Sequence, residues 1–188
     1  MKTAMTAPER PTARAHREIA AVLSPGDTAI DATAGNGHDT VFLAKLVGDT
    51  GLIFAFDVQE QAIASTRERL AQEGLLERVK LVHGSHAALH AYAAPGSVAA
   101  VMFNLGYLPG GDHTVITRTA ETLQALGEAL HALKPGGVLT IVCYPGHEGG
   151  DQESAAVLAW AEQHGAEVFR REGTLKPAPF LVVLRKGA

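Results

Sequence analysis

The chain has a single cysteine in 188 residues, no long apolar run, no internal repeat, no low-complexity tract and no metal-ligand spacing. Cys143 alone cannot close an internal disulfide, which excludes a disulfide-stapled scaffold. A membrane-spanning helix needs about 18 consecutive apolar residues, and the strongest runs, 98–103 and 138–143, are far shorter. The first residues lack the apolar stretch of a secretory signal. They are rich in Ala, Thr and Arg, as in an organelle transit peptide, but Pro8 and Pro11 interrupt any amphipathic helix there, so a cytoplasmic protein is expected. No His/Cys/carboxylate pattern has zinc spacing, and neither a Gly-x-Ser-x-Gly elbow nor a Gly-x-x-x-x-Gly-Lys loop is present. Metal and phosphoryl chemistry are therefore disfavoured.

A large excess of positive charge is also missing. The net charge is −4, which does not announce a nucleic-acid binder, yet it is unevenly spread. Through Arg17 the chain is +3, from Arg170 onward it is +4, and the middle carries −11. Such segregation permits a phosphate-binding surface and equally permits a solvated one.

Hydrophobic residues make up 46% and charged residues 19%, and the length suits one domain with a real core over 1–188, in which a basic segment and leading helix over 1–23 precede a core over 24–188. Short β-branched runs alternate with helical stretches. Helices are expected over 14–23, 38–47, 59–72, 85–92, 115–133 and 152–164. Strands are expected over 28–32, 52–57, 79–83, 98–104, 138–144, 167–172 and 180–185, with Pro135-Gly136-Gly137 as a turn. That rhythm predicts an α/β fold: a doubly wound, Rossmann-like, seven-stranded sheet, mostly parallel with a terminal antiparallel hairpin strand. Ligands bind such sheets at the carboxyl ends of the strands, so the loops at 33–39, 57–59, 83–86, 104–113 and 144–150 should face one crevice.

The first of these loops, Asp31-Ala32-Thr33-Ala34-Gly35-Asn36-Gly37-His38-Asp39-Thr40, joins a strand to a helix whose N-terminus offers free amides. Asp57 ends the next strand, where a carboxylate can accept hydrogen bonds from ribose hydroxyls. A dinucleotide fingerprint wants a small residue where Thr40 stands, and its pyrophosphate would lie near the acidic Asp39. Asp31 instead suits a cofactor with a cationic ammonium group and no phosphate, namely S-adenosylmethionine. Plainer roles are open to each residue. Gly35 and Gly37 can shape a turn, Asp31 can bond nearby amides, Asp39 can complement a helix dipole, and Ser85 can cap the following helix. His16, His90, His131 and His164 fall on helices without a ligand pattern and are expected to be surface or packing residues, while Cys143 and Trp160 are expected to pack.

Asp31-x-x-x-Gly35-x-Gly37, Asp57 and Lys134-Pro135-Gly136-Gly137 together resemble the class I S-adenosylmethionine-dependent methyltransferases over most of the chain. A closer resemblance rests on Thr33-x-Gly35-Asn36-Gly37-x-Asp39-Thr40, Asn104-Leu105-Gly106-Tyr107-Leu108-Pro109-Gly110-Gly111-Asp112 and Tyr144-x-Gly146-His147. This combination is similar to the bacterial family labelled rRNA methylases, whose members methylate the amine of 5-aminomethyl-uridine at the tRNA wobble position. The resemblance implies S-adenosylmethionine as cofactor and the tRNA anticodon region as partner, with a homodimer left open. It implies that Asn36 and Asp39 hold the methionine end, Asp57 and Gln59 the ribose, and Ser85 and His86 the adenine side. On the acceptor side the expected roles are Asn104, Tyr107 and Asp112 in catalysis, and Tyr107, His113, Tyr144 and His147 around the base. The basic ends, Arg10, Arg14, Arg17, Arg170, Arg171 and Lys176, would face phosphates. The alternatives are a methyltransferase acting on rRNA or on a small-molecule amine and, more remotely, a nicotinamide-dependent oxidoreductase or a non-catalytic nucleotide-binding module.

Overall fold

A computed structural model describes residues 9–106, 118–146, 149–170 and 177–187. Seven strands form one sheet: β1 (Thr28–Asp31), β2 (Leu52–Asp57), β3 (Val79–His83), β4 (Val98–Leu105), β5 (Leu133–Cys143), β6 (Glu167–Phe169) and β7 (Phe180–Arg185). Five helices accompany them: α1 (Pro11–Ala20), α2 (His38–Val47), α3 (Glu60–Gln72), α4 (Thr119–Ala132) and α5 (Gly150–Gln163), with 3₁₀ turns at Leu76–Arg78 and His86–Ala91. The strand order is β3-β2-β1-β4-β5-β7-β6. The first five strands run parallel, and β7 is antiparallel to both β5 and β6.

The strands read as nearly continuous apolar runs because both faces of the sheet are covered. Alternate residues divide between the two faces. Ile30, Phe54, Phe56, Val101, Phe103, Ile141 and Val182 pack with α4, α5 and the 86–91 turn, among them buried Trp160 and Cys143. Ala29, Ile53, Ala55, Met102, Val138 and Leu181 pack with α1, α2 and α3. The leading helix belongs to this second layer, since Ala15 and Ile19 are fully buried.

One expectation about these elements is corrected. Pro135-Gly136-Gly137 lies inside β5, not in a turn before it, and the β4–β5 register shifts between Val98 and Ala100. Gly136 N–H donates to the Lys186 carbonyl and Lys186 N–H to that of Gly137, each at 2.9 Å, so the glycines prolong the pairing with β7. A side chain at Gly137 would meet the Lys134 and Ala99 carbonyls at 2.9 and 3.0 Å, so the bulge requires glycine. The short helix expected over 85–92 is present as a 3₁₀ turn over His86–Ala91.

In this order β1 is flanked by β2 and β4, so the connections leave it in opposite directions and open a crevice at the carboxyl ends of these strands.

Candidate active site

A cavity of about 1030 Å³ fills that crevice, and the described parts of all five expected loops line it. Its floor is the 33–37 loop, held on both sides. Gly35 N–H donates to Asp57 Oδ2 and Gln59 N–H to Asp57 Oδ1, each at 2.9 Å, so one carboxylate ties the end of β2 to the glycine loop. From behind, Thr66 Oγ1 donates to the Gly35 carbonyl (3.1 Å) and Arg69 Nε to that of Asn36 (2.7 Å). Gly37 has φ +79°, and a Cβ there would stand 2.9 Å from Thr66 Cα. Only glycine lets α3 approach this closely.

Asp31 lies beneath the loop, fully buried and outside the cavity lining. Its oxygens accept from Thr33 N–H (3.1 Å) and Thr40 Oγ1 (2.6 Å), which gives Thr40 a role that sequence patterning missed. Burial first, and then the neighbouring charge of Asp39, pushes the Asp31 carboxyl up to about 7 against the pull of those two hydrogen bonds. A carboxyl raised in the fold favours folding while protonated in both states. That contribution shrinks as pH rises from its unfolded value of 3.8 and is gone above about 7. Relative to Asp31→Asn, the wild-type melting temperature should therefore fall between pH 4 and pH 8 by more than about 5 °C. Parallel melting curves in thermal scans would remove the buried-charge assignment.

Asp39, in the first turn of α2, is shared by two side chains. His16 Nε2 lies 2.5 Å from its Oδ1, and Asn104 Nδ2 donates to its Oδ2. His16 stacks on Phe42 with ring centroids 3.9 Å apart and planes 6° from parallel. The expectation of a mere surface or packing role for His16 is thereby corrected: it lines the cavity together with Thr12, one helical turn away on the same face of α1. Asn104 is the penultimate residue of β4, where its backbone N–H donates to Thr33 Oγ1 (2.7 Å); its side-chain Oδ1 is buried with no hydrogen-bond partner among the described residues.

On the opposite wall, His86 presents a similar orphan acceptor. Its Nδ1 meets the Ala32 carbonyl at 3.1 Å, which assigns the proton to Nδ1 and leaves the buried Nε2 unpartnered. Burial lowers the His86 pKa and keeps the ring neutral. Ser85 caps the following turn through Ala87 N–H (3.2 Å) and donates from Oγ to Glu121 Oε2 (2.7 Å). Capping and lining thus coexist there. Glu121 and Arg118 bring α4 into the lining and were invisible to motif reasoning. His83 supports the rim through the Val58 carbonyl (3.1 Å), and half-exposed Val58 lies at the rim. Tyr144 lines the far side, its phenol pushed up by burial first and by the charges of Asp39 and Cys143 after it.

Of the expected site residues, Gly35, Asn36, Asp39, Asp57, Gln59, Ser85, His86, Asn104 and Tyr144 line this one cavity, with Gly37 directly behind it. Tyr107, Asp112, His113 and His147 lie outside the described residues. Arg14 and Arg17 do not line the cavity. Arg14 lies over the Phe169 ring at 3.4 Å and pairs with Glu18, and Arg17 pairs with Glu9 at 2.8 Å. The two basic ends do meet, since α1 packs on β7, but Arg185 is joined there to Glu18 and Glu167, so much of their charge is compensated locally. Arg171 and Lys176 lie outside the described residues. Among the described residues no cluster of three His, Cys, Asp or Glu is placed to hold a metal, and no helix is long and apolar enough to cross a membrane.

Comparison with known proteins agrees with this geometry. The family model described as "Putative rRNA methylase" matches residues 53–172. The Arabidopsis thaliana protein named tRNA (mnm(5)s(2)U34)-methyltransferase, chloroplastic, is 42% identical over 161 residues, or 81% of this chain; the chain spans 59% of that protein's length. A Clostridium thermocellum crystal structure, described in the same words as the family, superposes with a TM-score of 0.92 at 38% identity, covering 96% of this chain and all of that one. A Streptococcus mutans protein solved in complex with SAH gives a TM-score of 0.86 at 39% identity, covering 96% of this chain and 99% of the other.

Proposed function

The chain belongs to this rRNA-methylase family, and from that premise we propose that it is an S-adenosylmethionine-dependent N-methyltransferase that converts 5-aminomethyl-uridine at the tRNA wobble position to the methylaminomethyl form. The observation that carries the acceptor chemistry is the buried, unpartnered Oδ1 of Asn104 at the cavity wall. Support for the nucleic-acid class comes from the name of the Arabidopsis relative.

The lining fits the cofactor. Asp39, Asp57 and Glu121 contribute carboxylates, against the single cationic side chain of Arg118 among the described lining residues other than histidine, as suits a ligand bearing sulfonium and ammonium groups. At about 1030 Å³ the cavity lies at the upper end of the roughly 300–1,000 Å³ usual for a ligand site. Asp57 and Gln59 would hold the ribose, the neutral His86 Nε2 and Ser85 the adenine side, and Asn36 and Asp39 the methionine end. When bound, S-adenosylmethionine supplies a methyl group on a sulfonium that departs as a neutral thioether, needing no proton.

What remains for the chain is positioning and proton management. The acceptor nitrogen attacks through its lone pair, so it must be neutral when the new N–C bond forms. A desolvated site favours the neutral amine. Asn104 Oδ1 accepts an N–H of that amine and turns its lone pair toward the methyl carbon. The proton released from the methylated nitrogen passes to Asp112, His147 or water. Tyr107, His113 and Tyr144 would bound the base, and the cytoplasm is the proposed compartment.

The test is incubation with labelled S-adenosylmethionine and tRNA carrying 5-aminomethyl-uridine, followed by digestion and mass spectrometry. Labelled methylaminomethyl-uridine is the expected product. Label in rRNA or in a small-molecule amine instead would move the acceptor assignment while leaving the methyltransferase.

A further inference from the structure

Asp39 has two carboxylate oxygens and two partners from distant parts of the chain. His16 comes from α1 at 2.5 Å, and Asn104 comes from the end of β4. An ionised carboxylate only accepts, so the Asn104 amide must present its NH₂ to Asp39, which leaves Oδ1 without Asp39 as a partner. That oxygen is the one left buried and unpartnered. The orientation of the Asn104 amide therefore depends on where Asp39 is held, and His16 holds it. The imidazole is itself fixed by parallel stacking on Phe42, which leaves its Nε2 aimed at Asp39.

We propose that His16 is a positioning residue: through Asp39 it locks the side-chain amide of Asn104, a residue of the cavity wall, in one orientation, so that the methyl acceptor meets a preset polar group. This deepens the reaction assigned above and rests on it for the identity of the acceptor amine. The arrangement recruits a helix remote from the glycine loop into the site, and Thr12 and His16 are the residues by which α1 reaches the cavity. It also explains why the polar side of α1 carries a histidine in contact with an acidic residue at another helix's N-terminus, where the dipole already favours the carboxylate.

Two substitutions separate hydrogen bonding from packing. His16→Phe keeps a ring to stack on Phe42 and removes the donor. His16→Gln loses the ring and keeps an N–H at similar reach. The relay predicts that His16→Phe lowers kcat about tenfold with KM for tRNA and Kd for SAH little changed, and that His16→Gln recovers most of the loss. If packing were the role, the order would reverse, and His16→Phe turning over as fast as wild type or faster than His16→Gln would overturn the proposal.

A second readout needs no turnover. In ¹H–¹⁵N spectra of the cofactor-free protein, the Asn104 side-chain amide, identified by its absence in Asn104→Ala, should show one proton shifted by the carboxylate. That shift should persist in His16→Gln and collapse in His16→Phe. An amide unmoved in His16→Phe overturns the relay. If wild-type protein methylates no aminomethyl-uridine, the functional assignment fails separately, while the amide spectrum still decides the His16 role.

Discussion

Asn104→Ala should lower turnover about a hundredfold while leaving SAH affinity within about threefold of wild type. The side chain lies at the cavity wall, held through Nδ2 by Asp39 and by a strand end whose backbone N–H is anchored on Thr33 Oγ1 at 2.7 Å. Alanine keeps that backbone contact and the strand, since β4 pairs with β1 and β5 through its main chain. The loss should therefore fall on the step in which the amine must be aimed. A hydrogen bond that restricts a nucleophile to one approach direction acts on the transition state more than on binding, so kcat carries the effect. Single-turnover methylation together with calorimetric titration of SAH measures both quantities. Unchanged turnover with cofactor still bound would remove Asn104 from the reaction.

Asp57→Ala should act on the opposite quantity, weakening SAH about a hundredfold with a smaller change in kcat at saturation. Asp57 accepts the backbone N–H groups of Gly35 and Gln59, both at 2.9 Å, and it is the carboxylate proposed to hold the ribose hydroxyls. Its removal leaves two amides without their charged acceptor and deletes the ligand contact. Hydrogen bonds to charged groups contribute about 1.5–3 kcal/mol each, so losing the organised loop and the contact together reaches the expected range. Asp57→Asn retains one carbonyl oxygen and should fall between alanine and wild type. A dissociation constant within about threefold of wild type in Asp57→Ala would show that the cofactor does not use this carboxylate.

On the proposed roles, these two substitutions divide the cavity into a wall for the cofactor and a wall for the acceptor. Both positions are legible from local patterning. Asp57 announces itself as the last residue of a β-branched and aromatic run, after a glycine loop, and its place at the strand end follows from local patterning. Asn104 likewise ends an apolar run. Neither position depends on which helix packs where.

Asp31 shows the limit of such patterning. Its place just before the glycine loop suggested a ligand carboxylate, yet the strand turns it under the loop, where Thr33 and Thr40 occupy its oxygens. A period of two places a side chain on one face or the other; it does not say whether the chain that follows folds back over it. Pro135-Gly136-Gly137 has the composition of a turn, but Lys186, the residue after antiparallel β7, pairs with both glycines and draws them into β5. That partner is remote in sequence, so the local signal pointed the wrong way.

The sequence by itself determined the alternating α/β order, the location of the glycine loop and Asp57 at strand ends, and four element spans that match residue for residue: His38–Val47, Leu52–Asp57, Val79–His83 and Phe180–Arg185. Those features depend on neighbours within a few residues, where hydrophobic period and turn chemistry act. Tertiary structure alone decided that α1 turns Thr12 and His16, and not Arg14 or Arg17, toward the cavity, that Glu121 reaches Ser85 from α4, and that His16 and Asn104 meet on Asp39. The physical reason is that helical spacing defines which residues share a face, whereas the choice of face laid over the crevice follows from how Ala15 and Ile19 pack against β5 and β7, strands more than a hundred residues away.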